Sequence, residues 1–393
     1  MRVCVVAEYY PRRENPVSGV WAHRQALAAR EAGADVRVLV LDRPLPSAAA
    51  VREAGRGSPK RLAAELRAAA ARPRTEVLDG IEVEYVRFLS PPRETSYGRW
   101  HRFARRPLAA ALSHGRPFDV VHAHYAHLAG AAALEWTGPR RTPLVVSVHG
   151  GDVLAPTLAS PAARATIARV LREADVVACN SGGTRRNAAG LAGDARNMRV
   201  VHLGTDVPPE AELPPKHPRP TVATLAHLDP RKRHEDVLRA LPLLAPAVRW
   251  AVIGRGPELP RLRALARELG VEERVTFTGQ LPPREARAEL ARCHAMALPS
   301  VDEAFGVAYV EALANGVPAI GCSGESGPEE IAALGAGMLL VSPRDPAAVA
   351  AAVERAMADP ELPAAARATA AAHFTWQASG RAIVDAYSQA LGR

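Results

Sequence analysis

Cysteine and long apolar runs are both scarce in this chain of 393 residues. Its four cysteines, Cys4, Cys179, Cys293 and Cys322, lie far apart, with no C-x-x-C pair and no nearby histidine at the spacing of a metal site. We therefore expect reduced core cysteines in a cytoplasmic protein. No apolar run approaches the roughly 20 residues that span a bilayer, and Met1 leads directly into a strand-like segment. Neither a membrane span nor a signal peptide is predicted.

Lysine is also rare, since Lys60, Lys216 and Lys232 are the three in the sequence. Basic charge comes from arginine instead and is uneven: residues 1–210 hold 30 Lys and Arg against 20 Asp and Glu, and the remainder holds 20 against 21. Aromatic residues make up 5% of the chain, and we find no aromatic-basic motif of the known nucleic-acid-binding modules. Nucleic acid is therefore not an expected partner.

Short apolar runs alternate with longer amphipathic stretches almost from end to end. This pattern is typical of parallel strands joined by crossover helices, so the predicted class is α/β. In the first half the predicted strands are Arg2–Ala7, Val36–Leu41, Ile81–Phe88, Val120–Ala123, Leu144–Val148 and Val176–Ala178. In the second half they are Thr221–Leu225, Arg249–Ile253, Val275–Thr278, Ala295–Leu298 and Pro318–Gly321.

A proline-rich segment, residues 207–220, separates the two series of strands. Proline there fixes the backbone without allowing a helix or a central strand, as in a linker. We predict two Rossmann-like, doubly wound domains, residues 1–207 and 208–375. The last apolar-periodic stretch, 376–393, has no strand to lead into, and we expect it to pack back on the first domain.

Two glutamates, Glu303 and Glu311, flank a predicted helix start near Phe305, with seven residues between them. Open α/β sheets bind ligands outside the carboxyl ends of their strands, where helix N-termini offer unpaired N–H groups to anions. Two carboxylates at such a place suit a ligand that combines hydroxyl groups with a diphosphate. The alternative is that Glu303 caps the helix and Glu311 is solvated. Acidic residues in 325–330 are expected to cap the next helix.

The segment from Glu303 to Pro318 resembles the E-x7-E signature of the family 4 glycosyltransferases, which are retaining enzymes of the GT-B fold. Other short motifs follow in the family's order, namely Gly19 in an early loop, His-Gly-Gly-Asp at 149–152, Leu-Gly-Thr-Asp at 203–206 and Gly-Arg-Gly-Pro at 254–257. The resemblance implies an acceptor-binding N-terminal domain, a donor-binding C-terminal domain and a crevice between them.

The resemblance also implies roles for the residues of the signature. The first glutamate of the motif contacts the donor sugar and the second contacts the ribose hydroxyls, which assigns these roles to Glu303 and Glu311. The amides near Phe305, Gly306 and Val307 would meet the diphosphate.

The family has a basic pair in a loop similar to G-R-L-x-x-x-K, matched here by residues 226–232. Lys232 aligns with the lysine of that loop. His227 stands where arginine is usual, which leaves Arg231 and Arg233 as alternatives for the second cation. Fixed positive charge stabilises a nucleoside diphosphate whose negative charge grows as the glycosidic bond breaks.

A D-x-D metal motif is absent from the sequence. The nearest pattern, Glu82-Val83-Glu84, lies on a predicted strand whose residues alternate between faces. We therefore expect departure of the leaving group without a metal, and no other cofactor.

Three histidines and one glycine of the first half are further candidates. In the family a histidine at the place of His149 lies beside the reacting sugar, and His149 is assigned to catalysis. Of His122 and His124, one is expected to point to the acceptor side and the other into packing. Gly19 precedes a predicted helix and would let backbone N–H groups approach the phosphates.

The predicted function is transfer of a hexosyl-type residue from a nucleoside diphosphate sugar, most simply a UDP-sugar, to a hydroxyl acceptor with retention. The acceptor stays open between a small molecule and a lipid-linked glycan. Two alternatives also stay open: a nucleotide-sugar 2-epimerase of related fold, and a catalytically silent protein that binds sugar nucleotides or glycans. The basic segment 99–106 predicts either a solvated helix or a peripheral contact with the inner face of the membrane.

Overall fold

The computed structural model describes residues 1–12, 15–46, 48–91, 96–154 and 160–392. The chain forms two compact units. The first contains Met1–Asn180, Thr184–Val201 and Gly380–Arg393, and the second contains Ser181–Gly183 and His202–Ser379. The main passage between the units therefore lies at Val201 and His202, slightly before the boundary at 207 that proline content suggested.

The first unit is built on an eight-stranded sheet in the order β3-β4-β2-β1-β5-β6-β7-β8. Its strands are β1 (Arg2–Ala7), β2 (Asp35–Asp42), β3 (Thr75–Leu78), β4 (Ile81–Arg87), β5 (Val120–His124), β6 (Leu144–Val148), β7 (Val176–Cys179) and β8 (Met198–Val200). Its helices are α1 (Val20–Glu31), α2 (Ala48–Gly55), α3 (Lys60–Ala71), α4 (His101–Leu112), α5 (Ala131–Arg140) and α6 (Pro161–Glu173). All pairs are parallel except β3 with β4.

All six predicted strands of this unit are confirmed, while β3 and β8 were not predicted. β3 is an edge strand whose residues are exposed or half-buried, so it carries no apolar run. The sequence Asp79-Gly80 is nevertheless a hairpin signal, since Asp-Gly is typical of tight turns between antiparallel strands. Both residues have positive φ (47° and 77°) in the turn between β3 and β4. Helices α2 and α3 precede β3 in the chain, and most residues of α3 are exposed.

The second unit is built on a parallel six-stranded sheet in the order β11-β10-β9-β12-β13-β14. Its strands are β9 (Thr221–Leu225), β10 (Arg249–Ile253), β11 (Val275–Gly279), β12 (Ala295–Ala297), β13 (Ala319–Cys322) and β14 (Met338–Val341). Helix α7 (Gly182–Ala192) belongs to the first unit from Thr184 onward. The helices of the second unit are α8 (His234–Ala240), α9 (Leu259–Glu268), α10 (Pro283–Arg292), α11 (Val307–Ala314), α12 (Ser326–Leu334), α13 (Pro346–Ala358) and α14 (Leu362–His373). The last helix, α15 (Trp376–Ala390), belongs to the first unit from Gly380 onward. The five predicted strands are confirmed, and β14 adds a sixth.

Both faces of the first sheet are covered, because alternate residues of its strands belong to two different apolar clusters. Cys4 and Val6 of β1 belong to one apolar cluster, whereas Val3 and Val5 belong to the cluster on the other face. The second cluster includes Tyr387 of α15, whose hydroxyl lies 2.8 Å from His122 Nδ1. All four cysteines are buried and free. Among the described residues, no helix is long and apolar enough to cross a bilayer.

Candidate functional site

The strand order of the second sheet shows where a ligand would bind. The order reverses between β9 and β12, since successive strands run outward from β9 on one side and from β12 on the other. Such a reversal opens a crevice beyond the carboxyl ends of the two strands, and ligands of doubly wound sheets bind there. The loop after β9 carries Lys232, and the loop after β12 carries Glu303.

Lys232 and Glu303 form a nearly buried ion pair at this crevice. Lys232 Nζ donates to Glu303 Oε2 at 2.5 Å, and the two side chains are 12% and 9% exposed. The pair is therefore shielded from the solvent screening that makes surface ion pairs weak. Burial by itself raises the pKa of Glu303, but the Lys232 ammonium brings the net pKa below its ordinary value.

Three further side chains hold Glu303 in place, and sequence reasoning assigned none of them to the site. Ser300 Oγ donates to Glu303 Oε2 at 2.9 Å and lies 3.0 Å from the Tyr309 hydroxyl. The Glu303 backbone N–H donates to Glu325 Oε2 at 2.7 Å. Acidic residues do stand at the start of α12, with Glu325 at the N-cap and Glu329 in the first turn, but the Glu325 side chain makes no capping hydrogen bond and contacts the Glu303 N–H instead.

The loop between Glu303 and α11 requires glycine at one position. Gly306 has φ 84°, and an added Cβ would lie 2.3 Å from the Tyr309 ring. Because Gly306 is the N-cap, no side chain caps α11, and the helix starts at Val307 with backbone N–H groups open to an anion. Phe305 points the other way, since its ring is buried against His202 and Phe374 at centroid distances of 5.7 Å and 5.8 Å.

Glu311 lies one turn into α11 and is half-buried. Among the described residues, none donates a hydrogen bond to its carboxylate. Burial raises the pKa of Glu311 to about 7; Arg287 opposes this shift and Asp206 adds to it. The side chain is thus neither the solvated acid of the alternative interpretation nor part of an ion pair.

The structure separates the two alternatives for the second cation. Arg233 is committed to α8, since its guanidinium contacts Asp236 at 2.7 Å and Glu235 at 2.6 Å. Arg231 is about half exposed and reaches toward the Asp302 carbonyl oxygen at 3.5 Å, on the loop that carries Glu303. His227 is 58% exposed. Arg231 is therefore the better placed arginine.

Two predicted site residues lie in the first unit, at the corresponding end of its sheet. Gly19 is the N-cap of α1 with φ 63°, and an added Cβ would lie 2.1 Å from the Tyr9 carbonyl oxygen, so only glycine fits. His149 follows β6, and its Nε2 lies 2.9 Å from His124 Nδ1. Burial lowers the pKa of His149 to about 3, so the ring is neutral at pH 7.

His122 and His124 have different partners, and an acceptor-facing role for either one stays a prediction. His122 turns into packing, with contacts of 2.8 Å to both the Tyr387 hydroxyl and Ser147 Oγ. His124 instead contacts His149, while the His149 Nδ1 has no partner among the described residues. Asp152, which sequence reasoning left without a role, accepts from the backbone N–H groups of Ala126 and His149 at 3.0 Å and 3.3 Å and fixes this loop.

Two groups bear on the expectation of a metal-free site. The pattern closest to a D-x-D motif is Glu82-Val83-Glu84 on β4. Its second glutamate, Glu84, forms an ion pair with Arg37 of β2 at 2.6 Å. His217, Glu289 and Cys293, which are distant in the sequence, bring ligand atoms within 4.8 Å of one another, a grouping that sequence spacing did not indicate. This cluster lies at the amino ends of β9 and β12, at the opposite edge of the sheet from Lys232 and Glu303.

Comparisons with known proteins agree with this geometry. The family model described as "Glycosyl transferase 4-like domain" matches residues 18–204, and the one described as "Glycosyl transferases group 1" matches residues 210–373. A GDP-mannose-dependent alpha-(1-6)-phosphatidylinositol monomannoside mannosyltransferase of Mycolicibacterium smegmatis is 32% identical over 276 residues, which cover 64% of this chain and 71% of the relative. The chain belongs to the family 4 glycosyltransferases.

A further relative supports this membership, and two solved structures share the fold. A D-inositol 3-phosphate glycosyltransferase of Mycobacterium marinum is 32% identical over 329 residues, covering 74% of this chain and 68% of the relative. Anabaena HepE in complex with UDP and glucose matches with TM-score 0.70 at 18% identity, covering 98% of each chain. Sucrose-phosphate synthase from Thermosynechococcus elongatus matches with TM-score 0.73 at 20% identity, covering 99% of this chain and 98% of that one. The predicted GT-B fold is thereby confirmed.

Proposed function

We propose that this glycosyltransferase moves a hexosyl-type residue from a nucleoside diphosphate sugar to a hydroxyl acceptor, with retention and without a metal. The observation that supports this most is the buried Lys232–Glu303 pair beside the uncapped start of α11. It combines the two chemistries that a sugar nucleotide needs, since a carboxylate binds hydroxyl groups while an ammonium and helix N–H groups bind phosphate.

Each residue then has a role in donor binding. Glu303 accepts hydrogen bonds from hydroxyl groups of the transferred sugar. The backbone N–H groups near Phe305, Gly306 and Val307 bind the diphosphate. Glu311, whose carboxylate has no donor among the described residues, accepts from the ribose hydroxyls.

Lys232 supplies the electrostatic stabilisation of bond breaking, with Arg231 as the second cation. As the anomeric C–O bond breaks, its electron pair passes to the diphosphate oxygen, and fixed positive charge stabilises the charge that develops. The acceptor oxygen forms the new bond to the anomeric carbon on the face from which the diphosphate departs. The departing phosphate takes the proton of that hydroxyl, which gives retention without a protein nucleophile. His149 is neutral and offers Nδ1 to a sugar hydroxyl.

The nucleotide base is open between uracil and guanine. The sequence analysis expected a UDP-sugar, and HepE was solved with UDP. GDP-mannose is the donor named for the Mycolicibacterium relative, whose identity to this chain is much higher. Acceptors named for the relatives carry inositol, so a cyclitol or a lipid-linked cyclitol belongs among the acceptors to test.

We also propose a peripheral contact between α4 and the inner face of the membrane. Arg102, Phe103, Arg105 and Arg106 are exposed on this helix, with Phe103 at 43%. Cations beside an exposed ring suit an anionic lipid surface. Trp100, the other aromatic residue of the basic segment, is buried and cannot contribute to this contact.

The test is a mass-spectrometric screen of the purified protein with GDP-mannose, UDP-glucose and UDP-galactose against a panel of hydroxyl acceptors. We expect a glycosylated product in excess EDTA and retained anomeric configuration by NMR. The melting temperature is measured in the same samples. If EDTA removed a metal ion from His217, Glu289 and Cys293, the melting temperature would change although the donor site is unaffected. Loss of activity in EDTA that Mn²⁺ restores, with unchanged melting temperature, would contradict the metal-free mechanism.

The same screen separates the alternatives. An epimerase converts donor without acceptor, and a silent binding protein turns over neither. The names of the relatives favour neither alternative.

A further inference from the structure

Three potential metal ligands meet in the second unit, at the amino ends of β9 and β12. They are His217 in the segment before β9, Glu289 in α10 and Cys293 directly after that helix. A histidine nitrogen, a carboxylate oxygen and the thiol sulfur all lie within 4.8 Å of one another. Zn²⁺ accepts all three types of ligand atom. The cluster is therefore a candidate metal site, separate from the donor site.

Helix α10 brings two of the three ligands to one place. Glu289 and Cys293 are four residues apart, and residues at this spacing are neighbours on the surface of a helix. Cys293 is the C-cap residue of α10. Its sulfur contacts the Glu289 carbonyl oxygen at 3.4 Å, a weak sulfur hydrogen bond inside the last turn. A bond between this sulfur and a metal ion would easily outweigh that contact.

The segment that carries the third ligand is fixed to the end of α10. The His217 backbone N–H donates to the Arg292 carbonyl oxygen at 2.8 Å. The neighbouring Lys216 Nζ donates to the carbonyl oxygens of Ala291 and Cys293 at 3.0 Å and 2.7 Å. Carbonyl groups at the end of a helix lack partners within it, and Lys216 supplies them. The backbone around all three ligands is thus held in place by hydrogen bonds that involve no metal.

The distances between the ligand atoms are close to those around one zinc ion. His217 Nε2 lies 3.0 Å from Glu289 Oε1. Nitrogen and oxygen ligands bind Zn²⁺ at about 2.0–2.1 Å, which at tetrahedral angles places them roughly 3.3 Å apart. Sulfur binds at about 2.3 Å and would lie roughly 3.5 Å from the other two atoms. Rotation of the side chains is enough to bring the Cys293 sulfur to that distance.

The exposure and the charges of the cluster suit an ion that enters from solvent. The side chains of His217 and Glu289 are 23% and 26% exposed, and a cavity of about 290 Å³ that both residues line leaves room for a water molecule as fourth ligand. A carboxylate and a thiolate together balance the charge of a divalent cation. Arg292 Nε faces the other carboxylate oxygen, Glu289 Oε2, at 4.0 Å, so Oε1 is the oxygen on the side of His217.

We propose that His217, Glu289 and Cys293 bind one Zn²⁺ ion that stabilises the second unit. His217 binds through Nε2 as a neutral imidazole, and the Cys293 thiol releases its proton to water when the sulfur bonds to the ion. The ion joins α10 to the proline-rich segment, residues 207–220, just before that segment leads into β9. It takes no part in sugar transfer, because Lys232 and Glu303 follow the opposite, carboxyl ends of β9 and β12.

Titration of the metal-free, full-length protein with Co²⁺ tests this proposal. Co²⁺ occupies zinc sites and reports its ligands by absorption. We expect one ion per chain, a sulfur-to-cobalt charge-transfer band in the near ultraviolet and strong d–d bands typical of tetrahedral coordination. Zn²⁺ should then displace Co²⁺ and remove these bands, since such sites bind zinc more tightly than cobalt.

Two variants assign the ligands. Cys293→Ser should remove the charge-transfer band, and His217→Gln should weaken metal affinity about tenfold or more. The matched controls are Cys179→Ser, at a buried cysteine of the first unit, and His373→Gln, at an exposed histidine of α14. Both controls should bind Co²⁺ as the wild type does. Zn²⁺ should raise the melting temperature of the wild type and leave that of His217→Gln almost unchanged.

The proposal is wrong if the wild type gives no charge-transfer band or if Cys293→Ser retains it. Equal metal affinity of the wild type and His217→Gln would also overturn it, and this comparison remains decisive if Cys293→Ser fails to fold, because His217 is partly exposed. Donor turnover well below the melting temperature should be the same with and without Zn²⁺. Turnover that requires the ion would contradict the stabilising role, whereas absence of turnover would contradict only the proposed function.

Discussion

The two units share one backbone feature, a reversal of strand order in the sheet, but different types of side chain follow the strands at the two reversals. In each sheet the strand order reverses once, between β1 and β5 in the first and between β9 and β12 in the second. The loops at the second reversal carry Lys232, Arg231, Glu303 and Glu311. The loops at the first carry tyrosines and a neutral His149 instead.

This difference shows that the strand order determines where a ligand can bind, whereas the residues of the loops determine which chemical groups it meets. A diphosphate needs fixed cations and open N–H groups, and the second unit provides both.

The strongest test of the charged half is Lys232→Ala. Because the negative charge on the leaving diphosphate grows toward the transition state, we expect kcat to fall by about 10²–10³ with a smaller change in donor KM. Steady-state kinetics with saturating acceptor measures both. Lys60→Ala on α3, an exposed lysine, is the matched control. A loss confined to KM would show that Lys232 only binds the ground state.

Removal of Glu311 tests the nucleotide-binding assignment. Glu311→Ala should weaken binding of free UDP or GDP by about 1.5–3 kcal/mol, since a carboxylate accepts two hydrogen bonds from a vicinal diol. Glu303→Ala should leave nucleotide binding nearly unchanged, because the free nucleotide lacks the sugar. Isothermal calorimetry measures both variants beside Glu354→Gln, at an exposed position of α13. Equal losses at Glu303 and Glu311 would contradict the division of roles.

The pH dependence of nucleotide binding gives a smaller effect with a fixed sign. The pKa of Glu311 is raised to about 7, so the carboxylate that accepts hydrogen bonds forms as the pH rises through 7. Affinity should rise roughly tenfold from pH 6 to pH 8 and level off above, because about a tenth of the group is ionised at pH 6. Glu311→Gln should flatten the profile. His149 adds no change in this range, since it remains neutral.

The raised pKa of Glu311 also makes the free energy of unfolding depend on pH. The folded state holds a proton on Glu311 that the unfolded chain has released between about pH 4.5 and 7, so this group lowers the free energy of unfolding as the pH rises through that window. Chemical denaturation of wild type and Glu311→Gln at pH 5 and pH 8 checks the sign. A wild type that gains stability relative to the variant with rising pH would show that the carboxylate is not desolvated.

Substitutions on the exposed basic face of α4 are expected to have the smallest effect per residue. Each arginine near an anionic lipid surface contributes about 1 kcal/mol to membrane binding. Simultaneous Arg102, Arg105 and Arg106→Ser should abolish co-sedimentation with anionic liposomes at low salt. Neutral liposomes are the control for apolar binding, and soluble-acceptor turnover should stay unchanged. If the wild type does not sediment at low salt, the membrane contact is excluded and α4 is a solvated helix.

Sequence patterns predicted the regular parts of the fold well, for a local reason. Buried parallel strands are short apolar runs, which Val120–His124 and Leu144–Val148 show in full. The edge strand Thr75–Leu78 was not predicted, because half of its residues are exposed and it has no apolar run. The start of α11 was predicted near Phe305, two residues before its start at Val307. Gly306 allows the left-handed backbone that the structure has just before this helix.

Long-range partners of the site were harder to predict. Nothing in the sequence near Glu303 indicates that Glu325, Ser300 and Tyr309 hold its position. The His217–Glu289–Cys293 cluster was overlooked for the same reason, since His217 lies in a linker far along the chain from Cys293. Asp152 could have been found, because it completes the His-Gly-Gly-Asp segment after β6.

By itself the sequence determined the α/β class, the family and the chemical types of residue in the donor site, because periodicity, glycine position and motif spacing are local properties of the chain. Only the tertiary structure decided that Lys232 pairs with Glu303 across 71 residues, that His124 rather than His122 contacts His149, and that scattered tyrosines form one cavity. These pairings depend on which strands lie side by side, and strand order is set by packing of the whole sheet rather than by any local pattern.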